Sequence, residues 1–144
     1  MSDTTPLLRV ENLVTWFGDP ANPVRAVDGV DFEIRKGETF ALLGESGSGK
    51  SITALSLLQL IPQPAGRIVS GQVWFEGTDL MQYTEAQMRA IRGNRIAMIF
   101  QEPMTSLNPV LTVEQQIVET LTQHRGIKGQ AAAKLALDYL EAVG

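Results

Sequence analysis

Between residues 44 and 51 the chain reads Gly-Glu-Ser-Gly-Ser-Gly-Lys-Ser. The stretch is too small and too rich in glycine to pack a core, yet it suits a dense anion. Gly44, Gly47 and Gly49 let the backbone wrap closely and take positive φ where needed. The N–H groups of the loop, which also contains Glu45, Ser46 and Ser48, can then converge into an anion-binding nest. A helix opening near Lys50 adds the positive end of its dipole. Lys50 can reach the β- and γ-phosphates of a nucleotide as a point charge, and the Ser51 hydroxyl can ligate Mg²⁺. The spacing G-x-x-x-x-G-K-[ST] is that of a phosphate-binding loop, provided a strand precedes it and a helix follows.

Both flanks meet that condition. Phe40 to Leu43 is an apolar run that delivers a strand into the loop. After Ser51, Ile52, Leu55, Leu58 and Ile61 fall at helical spacing, and Pro62 and Pro64 end the helix. Upstream, Leu7 to Phe17 reads as a strand and residues 18–23 as a loop. From Val24 to Arg35 a second strand alternates Val30, Phe32 and Ile34 with Asp31, Glu33 and Arg35. Downstream, Ile68 to Phe75 is a strand with Val73 and Phe75 on one face and Trp74 on the other, and Gly77-Thr78-Asp79 is a turn. Thr84 to Gln87 has the form of a capping box opening a short helix that ends by Gly93. Ile96 to Phe100 reads as a buried parallel strand, and residues 101–109 as a loop. A second capping box, Thr112 to Gln115, opens a helix with the stripe Val113, Ile117, Leu121, closed near Gly126. A last helix spans Gln130 to Val143, with Ala133, Leu137 and Leu140 on one side. The order implies an α/β architecture.

Composition narrows the partners. At 144 residues the chain has the length of about one domain, and with no cysteine it has neither disulfides nor thiolate metal sites. Its net charge of −4 argues against nucleic acid as the main partner. No apolar run approaches the ~20 residues that cross a bilayer, and Met1 to Arg9 has no signal-peptide core. The expectation is a cytoplasmic protein that meets a membrane only through a partner.

Several motifs in order go beyond a generic phosphate loop. Residues 44–51 resemble the Walker A motif of ABC-transporter ATPases, with its Ser-Gly-Ser-Gly-Lys core. Arg95 to Met104, Arg-Ile-Ala-Met-Ile-Phe-Gln-Glu-Pro-Met, resembles the Q-loop of that family, and Thr105-Ser106-Leu107-Asn108-Pro109 resembles its peptide-importer branch (oligopeptide, dipeptide, glutathione and microcin C uptake). The resemblance implies a P-loop NTPase core with N-terminal antiparallel strands over 1–107, then the start of a helical subdomain over 108–144. It implies ATP and Mg²⁺ as cofactors. Phe17 matches the aromatic that stacks on adenine, with neighbouring Trp16 as a rival. Gln101 matches the glutamine that senses Mg²⁺ and the γ-phosphate beside the transmembrane partner. The implied partners are transmembrane permease subunits, a second ATP-binding subunit (the same or a different chain) and, indirectly, a substrate-binding protein. The implied place is peripheral, on the cytoplasmic face of the inner (plasma) membrane.

The family's later motifs are absent: the Leu-Ser-Gly-Gly-Gln signature, a Walker B strand ending in Asp and Glu, and a switch histidine. Asp138 lies in a helical pattern and is followed by Tyr139, which makes it a helix-surface residue. His124, the only histidine, precedes the position of the signature and reads as a helix-end residue. The chain is therefore expected to be the N-terminal part of a longer ATPase, marginally folded and nearly inactive by itself, with unpaired sheet edges and exposed apolar faces. The alternatives are a soluble P-loop kinase or GTPase, though no Asn-Lys-x-Asp guanine-reading motif is present, and a non-catalytic nucleotide-binding fragment.

Overall fold

The computed structural model describes residues 5–101 and 107–144, which form two compact units, Met1–Arg89 and Ala90–Gly144. In the first, strands β1 (Leu8–Phe17), β2 (Val24–Ile34), β3 (Gly66–Phe75) and β4 (Thr78–Asp79) make one antiparallel sheet in the order β2-β1-β3-β4. Helix α1 (Lys50–Leu57) packs on it, and a 3-10 turn (Leu80–Gln82) and helix α2 (Glu85–Ile91) follow.

The central strand β1 changes phase half-way. Leu8 and Val10 are buried, and then Leu13 and Thr15 are. An alternating strand cannot do this without an extra residue. That residue is accommodated at Asn12, where φ is +45°. The register on both sides records the bulge: Val10 faces Phe32 and Leu13 faces Val30, while Glu11 faces Gln72 and Val14 faces Ser70. Glycines stand beside it on both neighbours. Gly29 is at φ +77° and Gly71 at φ +109°, and a Cβ on Gly71 would lie 2.5 Å from Leu13 Cα. Asp31 accepts a hydrogen bond from the Asn12 N–H.

Beneath β1, Leu13, Val27, Leu58, Ile61, Val73, Phe75 and Leu80 are buried. Val73 and Phe75 lie inside and Trp74 is half-buried on the opposite face, in line with the sequence pattern. On β2 the expected alternation holds, with Val30, Phe32 and Ile34 half-buried and Asp31, Glu33 and Arg35 exposed.

Helix α1 departs from expectation twice. It ends at Leu57, not at Pro62. The residues buried within it are Thr53 and Ser56, while Ile52 and Leu55 are only half-buried. Ser56 lies against β1, where its Oγ is 2.8 Å from Thr15 Oγ1. The turn expected at 77–79 is also shifted: Thr78 and Asp79 pair with Phe75 and Trp74, so the reversal is at Glu76-Gly77.

In the second unit, α3 (Val113–Arg125) and α4 (Gly129–Val143) pack through Leu121, Ala132 and Ala136, flanked by Ile117, Val118, Ile127 and Leu135. Thr112 and Gln115 form the full capping box, and Gly126 closes α3 in the left-handed conformation. The buried side of α4 is not the expected one. Its small residues Ala132 and Ala136 let the helices approach, while Leu137 is 55% exposed.

Two expected strands are not strands. Residues 38–45 have no ladder partner among the described residues, and in 96–100 only Ile96 makes a single bridge, to Arg92. A β-strand exists only with a neighbour to take its N–H and C=O groups, and among the described residues neither run has a ladder beyond that one bridge. Their apolar side chains stand open: Leu43 is 88% exposed and Ile99 93%. The exposed apolar faces match the expectation, while the strand expected at Phe40–Leu43 and the buried parallel strand expected at Ile96–Phe100 do not form. Phe40 finds partial cover by stacking on Phe32, with ring centroids 5.1 Å apart.

Candidate phosphate-binding site

Residues 44–49 form an irregular turn leading into α1, with Gly47 at φ +81° and Gly49 at φ +88°. These are left-handed values that glycine adopts without a steric penalty. Gly49 is the N-cap of α1 and offers no side chain to the first turn, which also lacks acidic residues. Helix α3 shows the contrast, since the Thr112 side chain accepts from the Gln115 N–H there. In α1 the orphan amides of the helix start are left without a side-chain cap. That is the arrangement an external anion requires.

The lysine points into the same loop. Lys50 Nζ donates to the carbonyl oxygens of Gly44 at 2.8 Å and Glu45 at 2.7 Å, and to Ser48 Oγ at 3.3 Å. Three acceptors therefore hold the ammonium over the loop. The loop is tight: a Cβ on Gly44 would meet Ser48 Oγ at 2.4 Å. Ser51 is exposed at the start of the helix. The concavity bounded by Ala26, Gly47 to Lys50 and Ile52 measures about 170 Å³.

Cavities elsewhere are larger, about 390 Å³ beside β3, about 250 Å³ beside Trp74 and about 450 Å³ in the second unit. Size does not decide the matter, because phosphate is held by backbone amides and a cation rather than by an enclosing pocket.

Sequence reasoning did not foresee how the loop is seated. Gly49 packs directly on the carbonyl of Ala26 in β2. On that same strand, Val24 pairs with Phe17 of β1. Phe17 and the phosphate loop are thus attached two residues apart along β2, about 7 Å at the rise of a strand. Phe17 is half-buried and, with Ile61, closes over Gly66: a Cβ there would lie 2.6 Å from Phe17 Cε1 and 2.5 Å from Ile61 Cγ2. Its rival Trp16 is held differently. The guanidinium carbons of Arg25 and Arg67 lie 5.4 and 5.9 Å from its ring centroid. Cations that close to the ring compete for the π-faces a base would need.

Gln101 belongs to the second unit and is exposed. Residues 102–106, which include the end of the Q-loop-like stretch and Thr105 and Ser106 of the peptide-importer-like stretch, lie outside the described residues. Asp138 is exposed on α4, as expected of a helix-surface residue. His124 is half-buried near the end of α3, beside Gly93. Among the described residues no cluster of three or more His, Cys, Asp or Glu could hold a metal. No helix among them is long and apolar enough to cross a membrane.

A family model described as ABC transporter matches residues 27–144, from β2 through the phosphate loop to the last residue. The chain belongs to the ABC transporter family. Relatives share its sequence over nearly its whole length. The oligopeptide transport ATP-binding protein AppD of Bacillus subtilis is 53% identical across 96% of this chain and 42% of its own length. OppD of the same organism, also named an oligopeptide transport ATP-binding protein, is 47% identical across 100% of this chain and 40% of its own. The chain thus spans about two fifths of the length of these curated relatives. A dimeric ATP-binding cassette solved with ADP and Pi matches 93% of this chain and 56% of its own, with a TM-score of 0.73 at 23% identity. That likeness establishes the ABC cassette fold, with its mixed α/β character. The family match removes the soluble kinase and GTPase alternatives.

Proposed function

We propose that this chain supplies the nucleotide-binding part of the ATP-binding subunit of a peptide-class ABC importer. The observation that carries the reading is the seat on β2. It attaches the phosphate loop at Ala26 and the aromatic Phe17 at Val24, so one short strand segment sets both ends of a nucleotide site. The loop's amides and the first turn of α1 bind phosphate. Lys50 leaves its carbonyl partners to pair with the β- and γ-oxygens, exchanging neutral acceptors for charged ones. Phe17 offers a flat apolar face to adenine.

The residues present also suit Mg²⁺. The Ser51 hydroxyl is a hard oxygen donor at the helix start, and Mg²⁺ takes few protein ligands, completing its shell with phosphate oxygens and water. Bound there, Mg²⁺ neutralises charge on the phosphates. Gln101 would sense the metal and the γ-phosphate and pass the signal to the membrane partner. ATP hydrolysis is proposed for the complete parent, whose remaining length would bring the water-orienting carboxylate that the reaction needs.

The peptide class rests on the relatives' names. The same reading gives a peripheral protein on the cytoplasmic membrane face. Its partners are permease subunits, a second ATP-binding subunit and, indirectly, a substrate-binding protein, with no nucleic acid. The functional boundary is placed at 107/108, where the helical subdomain begins.

The test is ligand protection against thermal unfolding. Mg-ATP at 100 times its Kd should stabilise the chain by about 2.7 kcal/mol, and Lys50→Ala should abolish the effect. Equal or better protection by GTP would count against the importer reading.

A further inference from the structure

We infer that the buried hydroxyl pair Thr15–Ser56 positions the phosphate-binding helix against the strand that carries the base-stacking residue. The inference rests on the nucleotide reading above. Thr15 and Ser56 are both 0% exposed, and their oxygens are 2.8 Å apart. Ser56 Oγ also donates to the Ile52 carbonyl at 2.7 Å. A serine hydroxyl has one proton, so Thr15 is the donor between the two. The resulting chain runs from Thr15 Oγ1 to Ser56 Oγ to Ile52 O, pointing from β1 along α1 toward the loop. Thr53 repeats the pattern one turn nearer, its Oγ1 donating to the Gly49 carbonyl at 3.0 Å.

An apolar contact here would hold the helix but not its rotation, because apolar groups repack when an element slips. A buried hydroxyl pair does not tolerate slipping. Turning α1 by one residue, or sliding it by one rise, takes from the buried Thr15 hydroxyl its Ser56 partner and leaves Ser56 only its bond within the helix. The pair therefore sets α1 in one rotation about its axis and one position along β1. Two residues beyond Thr15 on β1 is Phe17, and five beyond Ser56 is Ile61, and the two side chains converge on Gly66. The phosphate end of α1 lies six residues before Ser56, about 9 Å along the axis. Thr15–Ser56 is thus the fixed point from which both subsites are measured. Its role is to hold the spacing between them rather than to touch the ligand.

The experiment compares two ligands on the 144-residue chain, Mg-ATP and Mg-tripolyphosphate, by calorimetric titration. Tripolyphosphate needs only the loop and the first turn, which stay seated on Ala26. The double variant Thr15→Val/Ser56→Ala removes both polar atoms, so neither is left orphaned and the unfolding midpoint should stay near that of the unsubstituted chain. Its ATP affinity should fall about tenfold, the worth of one buried hydrogen bond, while tripolyphosphate affinity is unchanged. The single variant Thr15→Ser, which keeps the hydroxyl and its Ser56 partner, should retain ATP affinity. Equal loss for both ligands, or no loss for ATP, would overturn the inference. If the unsubstituted chain binds tripolyphosphate but ATP no more tightly, the base subsite is wrong and the inference falls with it. If it binds neither ligand, the nucleotide reading itself is overturned, and this inference with it.

Discussion

A Cβ built on Gly49 would stand 2.1 Å from the carbonyl oxygen of Ala26. Real Cβ atoms do not come that close, so the last glycine of the loop is required by its neighbour as well as by its φ of +88°. Ala26 lies at a register irregularity of β2, between Val27 opposite Thr15 and Arg25 opposite Trp16, so shifting its carbonyl disturbs both flanking pairs. Gly49→Ala should therefore cost about 2–4 kcal/mol, the sum of a left-handed non-glycine residue and an overpacked contact, and should abolish nucleotide binding. Urea unfolding checks the first part. Stability equal to that of the unsubstituted chain would show that the loop is not seated on Ala26.

Lys50 separates binding from stability. Its ammonium spans three loop acceptors, two of them main-chain carbonyls, yet the loop around it is exposed. Water replaces such hydrogen bonds at small net cost. Lys50→Ala should lower stability by less than about 1 kcal/mol while removing protection by ATP. Lys50→Arg should keep the charge and still bind poorly, because a planar guanidinium cannot take the place of a compact ammonium in so tight a loop. Paired unfolding and titration curves decide this. A large stability loss in Lys50→Ala would recast the lysine as a structural clamp.

The bulge on β1 makes a sharper demand on glycine than the turns do. At Gly71 a side chain would lie 2.5 Å from Leu13 Cα and 2.7 Å from Asn12 O, with φ at +109°. At Gly77, also in a positive-φ turn, nothing lies within 4 Å. Gly77→Ala should cost about 1 kcal/mol, the conformational term alone. Gly71→Ala should cost at least about 2 kcal/mol more, because the backbone of the central strand must shift. Equal losses at the two positions would mean that the bulge is not held in the form seen here.

How much of this was legible depended on sequence distance. The phosphate loop, both capping boxes and the closing Gly126 are local devices, each written within about eight residues, and all appear where the sequence placed them. The seat of the loop on Ala26 and the Thr15–Ser56 pair join residues more than twenty positions apart, and nothing in the local spelling announces them. On α1 the apolar stripe misdirected the reading, because two hydroxyls took the face against the sheet. On α4 the larger residues did the same, because alanines make the closest helix contact. The β1 bulge had a visible trace in the phase change from Leu8 and Val10 to Leu13 and Thr15, which the strand reading passed over. Apolar runs at Phe40–Leu43 and Ile96–Phe100 spell strands correctly as propensity, but a strand also needs a neighbour, and that is not a property of the run itself.

Those two runs set the last expectation. Leu43 and Ile99 are 88% and 93% exposed, and Phe40, Leu42 and Phe100 are each at least 40% exposed. Contiguous apolar side chains beside unpaired main-chain groups favour association, because each side chain gains by leaving water and each backbone group gains a partner. The 144-residue chain should bind a hydrophobic dye in its folded state and self-associate as its concentration rises. Leu43→Ser and Ile99→Thr together should reduce both effects, with little change in the unfolding midpoint, since neither side chain is part of a core. Sedimentation velocity over a tenfold range of concentration gives the answer. A concentration-independent monomer that binds no dye would mean that the two runs are covered in solution.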